Sequence, residues 1–376
     1  MMLEIREVQS KSDLKKFVGY PNRLYKNVPQ FMPPLRSEDM ADWDRRKNPA
    51  FEYCDARCWL ALRDGEIVGR IGAILSRRSN EKWHKQRMRF TQVDFIDDFE
   101  VSSALFEAVE AWAREMHCNE VHGPLGFTDL DREGMLVDGF DQKGMFITYY
   151  NHPYYIDHLT RLGYVKDVDW VEFLIDVPQP DDRIVPRLQQ LSDRVLRMTG
   201  LHVAEVKHRS EYKPYIRKVF ELINTCYAHL YGTVELSDTQ IKKYADKFIP
   251  MINPDLACFV MDDDDNMIAF GVAAPSMAEA IKKHDGHMFP IGFIDILRAL
   301  RRNDTLDLYL IAVRPDYQNR GVNAVLMNHV LKGCHKIGIR QAETGPQLEM
   351  NTKVQHQWSL FKYRNHKRRR CFIKQL

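Results

Sequence analysis

One order of predicted secondary-structure elements occurs twice along this chain. In each half a strand is followed by helices, a hairpin, a strand, a helix, a strand, a helix and a final strand. In the first half the hairpin is predicted to turn at Asp64 and Gly65, and the helix at residues 101–117 has apolar residues at helical spacing. The last helix of the second half is predicted at residues 349–363. At a length of 376 residues, this repeat predicts an α/β (α+β) protein of two domains, each with a mixed twisted sheet flanked by helices. The alternative is coincidence, because any two mixed α/β domains of similar size share some element order.

The spacing of equivalent positions predicts where the two halves differ. Cys58 and Cys258, in the two hairpins, are 200 residues apart, whereas Gly123 and Gly345, in two Gly-Pro pairs, are 222 residues apart. The larger offset predicts an insertion in the second half, at residues 276–303. Its apolar run FPIGFIDILRAL could form a homodimer surface or a flap over an active site, and both interpretations stay open.

A polar stretch with two prolines, PQPDDR at residues 178–183, predicts the boundary between the domains. We therefore expect an N-terminal domain at residues 1–178 and a C-terminal domain at residues 179–376. A helix at residues 185–199 is expected to connect them.

Charge and hydropathy exclude several classes of protein. Lys and Arg number 54 against 52 Asp and Glu, and a net charge of +2 gives no global field that would hold a nucleic acid or an anionic membrane. The hydrophobic fraction of 44% excludes disordered and fibrous classes. No run approaches the ~18 consecutive apolar residues of a membrane span, and the N-terminal sequence does not resemble a signal peptide. We expect a cytoplasmic protein without a membrane partner.

The seven cysteines form no CxxC pair and are expected to be reduced thiols. Cys54 and Cys58 lie four residues apart, but no second pair of Cys or His at zinc-finger spacing follows them. We therefore predict no metal site.

The most informative stretch is LDLYLIAVRPDYQNRGVNAVL, at residues 306–326. An apolar strand ends at Val313, and a short polar loop with Gly321 opens a helix. Backbone N–H groups and the helix dipole converge at such a helix start, which favours an anion such as a pyrophosphate, and Arg320 adds a positive charge. The alternative is an ordinary connection, because a strand, a turn and a helix with one glycine are common in α/β proteins.

Residues 313–324 resemble the acyl-CoA-binding motif of the GCN5-related N-acetyltransferase (GNAT) superfamily. That motif is Gln/Arg-x-x-Gly-x-Gly/Ala after a strand that ends in Val-x-Pro. The matching residues are Val313, Pro315, Gln318 and Gly321. The last small position of the motif holds Asn323, with Ala324 next to it. The element order resembles the family across both halves, which implies two GNAT-like domains, of which only the second has the CoA motif.

The resemblance implies that the strands at residues 306–313 and 340–344 splay apart, and that acetyl-CoA or another acyl-CoA binds in the gap as a co-substrate. The pantetheine would pair with the backbone of Ile311, Ala312 and Val313. The pyrophosphate would accept hydrogen bonds from the backbone N–H groups of the loop and the helix start, at Gln318, Asn319, Arg320, Gly321, Val322, Asn323 and Ala324.

The resemblance also implies direct attack of an amine on the thioester, which needs a base for the amine and a proton donor for the thiolate. Glu343, near the end of the second splayed strand, is the candidate base, and a strand-end surface charge is the alternative. The family's usual acid is a tyrosine seven residues after an asparagine, but here Asn351 is followed by Trp358. Tyr363 is the candidate acid, and the alternative is that the thiolate leaves into solvent.

The first half lacks this motif. At the equivalent helix start stands DDFE, residues 97–100, with three carboxylates and no glycine, which would repel a phosphate. The long loop at residues 123–155 is expected to be a lid or substrate loop, with a structural Ω-loop as the alternative. The basic cluster HKRRR, at residues 366–370, could contact nucleic acid or form a solvated turn, and we expect no nucleic-acid partner.

These features predict an N-acyltransferase that moves an acyl group from acyl-CoA to a small-molecule amine in a ternary complex. The alternative from another class is a non-catalytic protein that senses CoA or a metabolite. The two-domain architecture also resembles Fem-type aminoacyl transferases, which use tRNA, and N-myristoyltransferases, without a motif that selects either.

Overall fold

The computed structural model describes residues 2–376, which form two compact units. The first unit contains residues 2–171, 278–293 and 366–376, and the second contains residues 172–277 and 294–365. These units are defined by packing, so the boundary between residues 178 and 179 stays a prediction about the two repeats. Among the described residues, no helix has both the length and the apolar character needed to cross a membrane.

Fourteen strands lie within residues 2–376: β1 (Leu3–Glu7), β2 (Cys54–Arg63), β3 (Glu66–Ser76), β4 (Arg87–Phe95), β5 (Glu120–Gly123), β6 (Met135–Asp138), β7 (Val165–Asp176), β8 (His202–Val203), β9 (Ala257–Met261), β10 (Met267–Pro275), β11 (Thr305–Val313), β12 (Gln341–Thr344), β13 (Gln347–Leu348) and β14 (Tyr363–Gln375). Twelve α-helices lie in the same part of the chain: α1 (Lys11–Leu24), α2 (Arg36–Asp42), α3 (Arg77–Trp83), α4 (Phe99–Glu115), α5 (Tyr154–Arg161), α6 (Ile184–Thr199), α7 (Lys213–Tyr227), α8 (Asp238–Phe248), α9 (Ala278–Lys283), α10 (Gly292–Ala299), α11 (Val322–Ile337) and α12 (Thr352–His356).

The sheet of the first unit has the strand order β1-β2-β3-β4-β5-β14-β7, with β4 and β5 parallel. The predicted hairpin of β2 and β3 forms because Asp64 and Gly65 both adopt the positive φ angles, 49° and 85°, of a two-residue turn. The apolar stripe of α4, with Val101, Leu105 and Val109 fully buried, packs on this sheet. The core of the first unit therefore lies between α4 and the sheet.

The sheet of the second unit has the strand order β7-β12-β11-β10-β9-β8, and its β11 and β12 are parallel. Val322 and Leu326 of α11 pack against Val260 of β9 and Ile268 of β10 in the core of this unit. The predicted connecting helix is α6, which adds Val195 to the same core. The helix α11 is thereby fixed directly behind the strands that precede it.

The predicted insertion lies between two neighbouring antiparallel strands, β10 and β11. Its ends are held together because Asn303 Nδ2 donates a hydrogen bond to Ser276 O at 2.6 Å. The backbone N–H of Ser276 also donates to Thr305 O at 2.9 Å. The segment between these bonds contains α9 and α10 and leaves the pairing of β10 with β11 in place.

The end of the chain differs from the predicted helix at residues 349–363. The helix α12 spans only Thr352–His356, a 3-10 turn follows it, and β14 begins at Tyr363. The backbone N–H of Asp176 donates to Lys362 O at 2.9 Å. Pairing with a strand from the middle of the chain therefore overrides the local helix propensity.

The basic cluster at residues 366–370 lies in β14 and does not form a solvated turn. Lys367 and Arg369 are almost fully buried. Asp169, also buried, accepts hydrogen bonds from Arg370 Nε at 2.8 Å and Arg370 Nη2 at 3.0 Å. The prediction of a solvated turn is wrong because the carboxylate that neutralises this strand lies 201 residues earlier in the sequence.

Candidate active site

The strands β11 and β12 separate where the family resemblance implies a gap. They pair in parallel over four residues, ending with Leu308 opposite Thr344, and Gly345 N then donates to Leu308 O at 3.0 Å. The strand β11 continues to Val313 while paired with β10 on its other side. Within residues 2–376, no strand lies beside the second edge of β11 beyond Leu308.

The carbonyl groups of Ile311 and Val313 point to this open edge. The backbone N–H of Arg314 donates to Ile268 O of β10 at 2.8 Å. The polar backbone groups of successive residues in a strand point to opposite edges. Because Arg314 points to β10, the backbone N–H and carbonyl groups of Val313 and Ile311 point away from β10. These are two of the three residues predicted to pair with a pantetheine.

Three side chains already contact these carbonyl oxygens. Tyr227, at the end of α7, donates from its hydroxyl to Ile311 O at 2.8 Å. Gln318 Nε2 donates to Val313 O at 3.2 Å, and Cys226 Sγ lies 3.4 Å from the same oxygen. Burial raises the pKa of the Cys226 thiol to about 11, so it is protonated at neutral pH and acts as a donor, not a nucleophile.

The helix start that follows the open edge has the features of an anion site. Gly321 is the N-cap residue of α11 with a φ of 81°, and no side chain among the described residues caps this helix. Ala324 N donates to Gly321 O at 2.9 Å. The N–H groups of Val322 and Asn323, the first two residues of the helix, have no carbonyl one turn earlier within the helix, so a pyrophosphate can accept from them. A Cβ at Gly321 would lie 3.0 Å from Val195 Cγ2, which adds a close contact to the backbone strain of any larger residue.

Two side chains of the predicted phosphate loop point to separate neighbours. Asn323 stands where the motif has Gly or Ala. Its Nδ2 lies 3.5 Å from Gln357 Oε1, so this side chain is directed toward the 3-10 turn after α12. The guanidinium of Arg320 is exposed and lies over the Tyr317 ring, 5.1 Å from its centroid. The loop therefore offers a positive charge to a phosphate at its surface.

Glu343 lies among buried carboxylates at the point where β11 and β12 separate. It is 8% exposed, and it pairs in register with Asp307 of β11 and Leu174 of β7. A carboxylate oxygen of Glu343 lies within 4.8 Å of one of Glu172, which is fully buried. Asp307 is also fully buried and accepts from Tyr309 OH at 3.3 Å. Burial contradicts the alternative that Glu343 is a surface charge.

The strand β11 is irregular next to this group of carboxylates. Leu308 pairs with Ala273 and Leu310 pairs with Val272, so the register with β10 skips Tyr309. Such a β-bulge bends the strand and re-aims the side chain it contains. Here the bulge accompanies the contact between the Tyr309 hydroxyl and Asp307.

Sequence reasoning missed Asp307 and Glu172. Each is an acidic residue in an otherwise apolar strand segment, in LDLYLIAV and in WVEFLI respectively. An acid in a buried strand is rare enough to have served as a signal. The contact of Tyr227 with the edge of β11 had no signal in the sequence.

Trp358, at the position of the family's usual acid, and Tyr363, the candidate acid, take different places. Trp358 is buried, and its Nε1 donates to Gln347 Oε1 at 3.3 Å. Tyr363 begins β14, is 42% exposed, and packs edge-on against Phe173 with ring centroids 5.5 Å apart. Trp358 is thus a packing residue, and the role of Tyr363 as an acid stays a prediction.

The equivalent helix start in the first unit is filled by a carboxylate of the chain itself. Asp98 caps α4 and accepts from Glu100 N at 3.0 Å. Arg63 forms ion pairs with Asp98 and, at 2.7 Å, with Glu100. The hydrogen bond from Arg63 lowers the pKa of the Asp98 carboxyl, which keeps that group charged at neutral pH. A phosphate would have to displace this charge.

This chain is similar to known proteins over nearly its whole length. Residues 216–356 match the model of the acetyltransferase (GNAT) family. The chain is 28% identical to protein YghO of Escherichia coli K12 over an alignment of 381 residues. This alignment covers 99% of this chain and 95% of that protein. The chain is 24% identical over 365 residues to the bacterial ceramide synthase of Caulobacter vibrioides, covering 94% of this chain and 92% of that enzyme.

Solved structures show the same fold. A tandem GNAT protein from the clavulanic acid biosynthesis pathway superposes with a TM-score of 0.58 at 12% identity, over 100% of this chain and 98% of that chain. A GCN5-related N-acetyltransferase from Sphaerobacter thermophilus superposes with a TM-score of 0.52 at 11% identity, over 99% of this chain and 95% of that chain. The predicted fold class and the predicted resemblance are confirmed: residues 216–356 match the GNAT family, and the chain has the tandem GNAT fold.

Proposed function

We propose that this protein transfers an acyl group from acyl-CoA to an amine. The family match supports acyl transfer in general. The observation that carries the finer proposal is the open edge of β11, which leads directly into the uncapped start of α11. One continuous segment thus offers carbonyl groups to a pantetheine and N–H groups to a pyrophosphate.

In this proposal Glu343 is the base. The carboxyl oxygens of Glu343, Glu172 and Asp307 can accept hydrogen bonds from an amine in its ammonium form, and Glu343 takes the proton directly or through water. The amine nitrogen then bonds to the thioester carbonyl carbon, the C–S bond breaks, and the thiolate leaves with a proton from Tyr363 or from solvent. The products are an amide and free CoA.

The acceptor class follows from one of the relatives. The protein from Caulobacter vibrioides is named a bacterial ceramide synthase and matches nearly the whole of this chain. A ceramide is the amide of a fatty acid and a long-chain amino alcohol. We therefore propose a long-chain amino alcohol as the acceptor and a long-chain acyl-CoA as the donor.

The test is a calorimetric titration of the protein with CoA, acetyl-CoA and palmitoyl-CoA, followed by an assay of thiol release across a panel of amines that includes sphinganine. We expect binding that Gly321→Glu abolishes, and thiol release that depends on the amine. No binding at millimolar ligand would contradict the proposal. Binding without thiol release would instead assign a CoA sensor.

A further inference from the structure

Tyr309 is the extra residue of the bulge in β11. Asp307 pairs with Ala274 of β10, whereas Ile311 pairs with Gly271. Because these two partners are three residues apart, the side chains of Asp307 and Ile311 lie on opposite faces of the sheet. Ile311 packs with the core beneath α11, and on the other face the Tyr309 hydroxyl donates to Asp307 Oδ2 at 3.3 Å. The bulge therefore places the tyrosine on the face that does not pack against α11.

The proposed base lies on the same face as Tyr309. Glu343 of β12 pairs in register with Asp307, and register partners on neighbouring strands direct their side chains to the same side of a sheet. Neighbouring strands are only about 4.7–4.9 Å apart. Glu343 and the Tyr309 hydroxyl thus both adjoin Asp307, close enough to meet two functional groups of one small substrate.

The hydrogen bond to Asp307 determines what the Tyr309 hydroxyl can offer to a ligand. A phenol has a single proton to donate, and its oxygen also accepts. Since the proton is directed to Asp307, the oxygen offers an acceptor to a further group. Tyr309 is half-buried whereas Asp307 is fully buried, so a ligand meets the tyrosine first. The group that complements this oxygen is a hydrogen-bond donor, such as the hydroxyl of an alcohol.

An aromatic side chain of α8 adjoins Tyr309. The ring of Phe248 lies 6.2 Å from that of Tyr309, measured between centroids, and the two planes form an angle of 51°. Phe248 also stacks on Tyr244, with centroids 6.4 Å apart. Tyr244 is buried, but Phe248 is only half-buried, so part of its ring is available to a hydrocarbon chain.

We propose that Tyr309 selects acceptors that carry a hydroxyl on the carbon next to the amine-bearing carbon. The Tyr309 oxygen accepts a hydrogen bond from that hydroxyl while Glu343 meets the amine, and Phe248 contacts the adjoining chain. A site built to bond a hydroxyl discriminates against an analogue that lacks it. This inference rests on the proposed acyl transfer and names the residue that recognises the acceptor.

The test is an assay of thiol release from palmitoyl-CoA with two acceptors of equal chain length, sphinganine and octadecylamine, in the same detergent micelles. For the parent protein we expect a higher kcat/KM with sphinganine. Tyr309→Phe should lower the ratio of kcat/KM for sphinganine to that for octadecylamine about two- to tenfold, as expected for the loss of one neutral hydrogen bond. A disturbance of the bulge itself affects both acceptors and cancels in this ratio.

The matched control is Tyr215→Phe, because Tyr215 is a half-buried tyrosine of the same unit whose ring stacks on Phe259. It should keep the parent ratio. A Tyr309→Phe variant with the parent ratio would overturn the inference and leave acyl transfer intact. So would a parent protein that uses octadecylamine as well as sphinganine, and this comparison needs no variant to fold. No thiol release with either acceptor or with any other amine would overturn the acyl-transfer proposal together with this inference.

Discussion

The hydroxyl of Tyr227 donates a hydrogen bond to the carbonyl oxygen of Ile311, at 2.8 Å, on the strand edge where a pantetheine is proposed to pair. The helix α7 therefore reaches an acceptor that the acyl-CoA would also use. The ligand has to share that acceptor with the tyrosine or displace it.

Removal of this hydroxyl should strengthen acyl-CoA binding. A neutral hydrogen bond contributes about 0.5–1.5 kcal/mol, so Tyr227→Phe is expected to lower the dissociation constant about two- to tenfold in a calorimetric titration. The control is Tyr215→Phe, on the same helix, where the ring stacks on Phe259 with centroids 5.0 Å apart. Weaker binding by Tyr227→Phe would show that the hydroxyl assists the ligand instead.

Glu343→Gln should lower kcat and leave CoA affinity unchanged. A general base contributes about 10²–10⁴-fold to the rate, and the variant retains the size of the side chain. The loss should diminish as the pH rises, because the free amine then forms without a base. Steady-state assays of thiol release over a pH series measure both effects, with Glu349→Gln as the matched substitution. An unchanged kcat would restrict Glu343 to a structural role.

A comparison of Gly321→Ala with Gly338→Ala distinguishes the effect of backbone strain on stability from an effect on CoA binding. Both glycines flank α11 in left-handed backbone, with φ of 81° and 88°, so each substitution should cost about 1–2 kcal/mol of stability. Only Gly321 lies in the proposed phosphate loop. We expect a somewhat larger loss in melting temperature for Gly321→Ala, because its Cβ would also lie 3.0 Å from Val195 Cγ2 whereas a Cβ at Gly338 meets nothing within 4 Å, and we expect weaker CoA binding for Gly321→Ala alone. Equal CoA affinity in the two variants would argue against a phosphate site at this helix start.

His122 should make the protein less stable in mild acid. Burial, together with the charges of Arg89 and Arg87, lowers the pKa of His122 well below its usual 6.5. As the pH falls below 6.5, the unfolded chain binds a proton that the folded protein does not, so the free energy of unfolding falls by up to about 1.4 kcal/mol per pH unit.

Urea unfolding near neutral pH and near pH 5 measures this effect. The variant His122→Asn should lose most of the difference between the two conditions, whereas His84→Asn, at an exposed histidine, should keep it. If His122→Asn keeps the parent pH dependence, the destabilisation in acid comes from other groups.

Local sequence signals predicted the elements that local interactions determine. The stripe of α4 and the turn at Asp64 and Gly65 were visible because periodicity and turn chemistry act within a few residues. The phosphate loop before α11 was visible for the same reason, since its residues are consecutive. The gap between β11 and β12 followed from the family resemblance of that loop.

Partners far apart in sequence could not be predicted. Asp169 determines that Arg370 lies in a buried strand, and the two residues are 201 positions apart. The carboxylates around Glu343 come from three strands, and nothing in one strand specifies its neighbours in a sheet. The helix predicted at residues 349–363 failed because strand pairing at Lys362 competes with it.

The position of β14 has a consequence for synthesis on the ribosome. In the first unit β14 lies between β5 and β7, yet its residues 366–375 are translated after the whole second unit. Until then β5 and β7 each present an unpaired edge, which is the kind of surface that chaperones and other nascent chains bind. The first unit to be translated is therefore the last to be completed, and a ribosome that stops before residue 366 releases a protein with an open sheet.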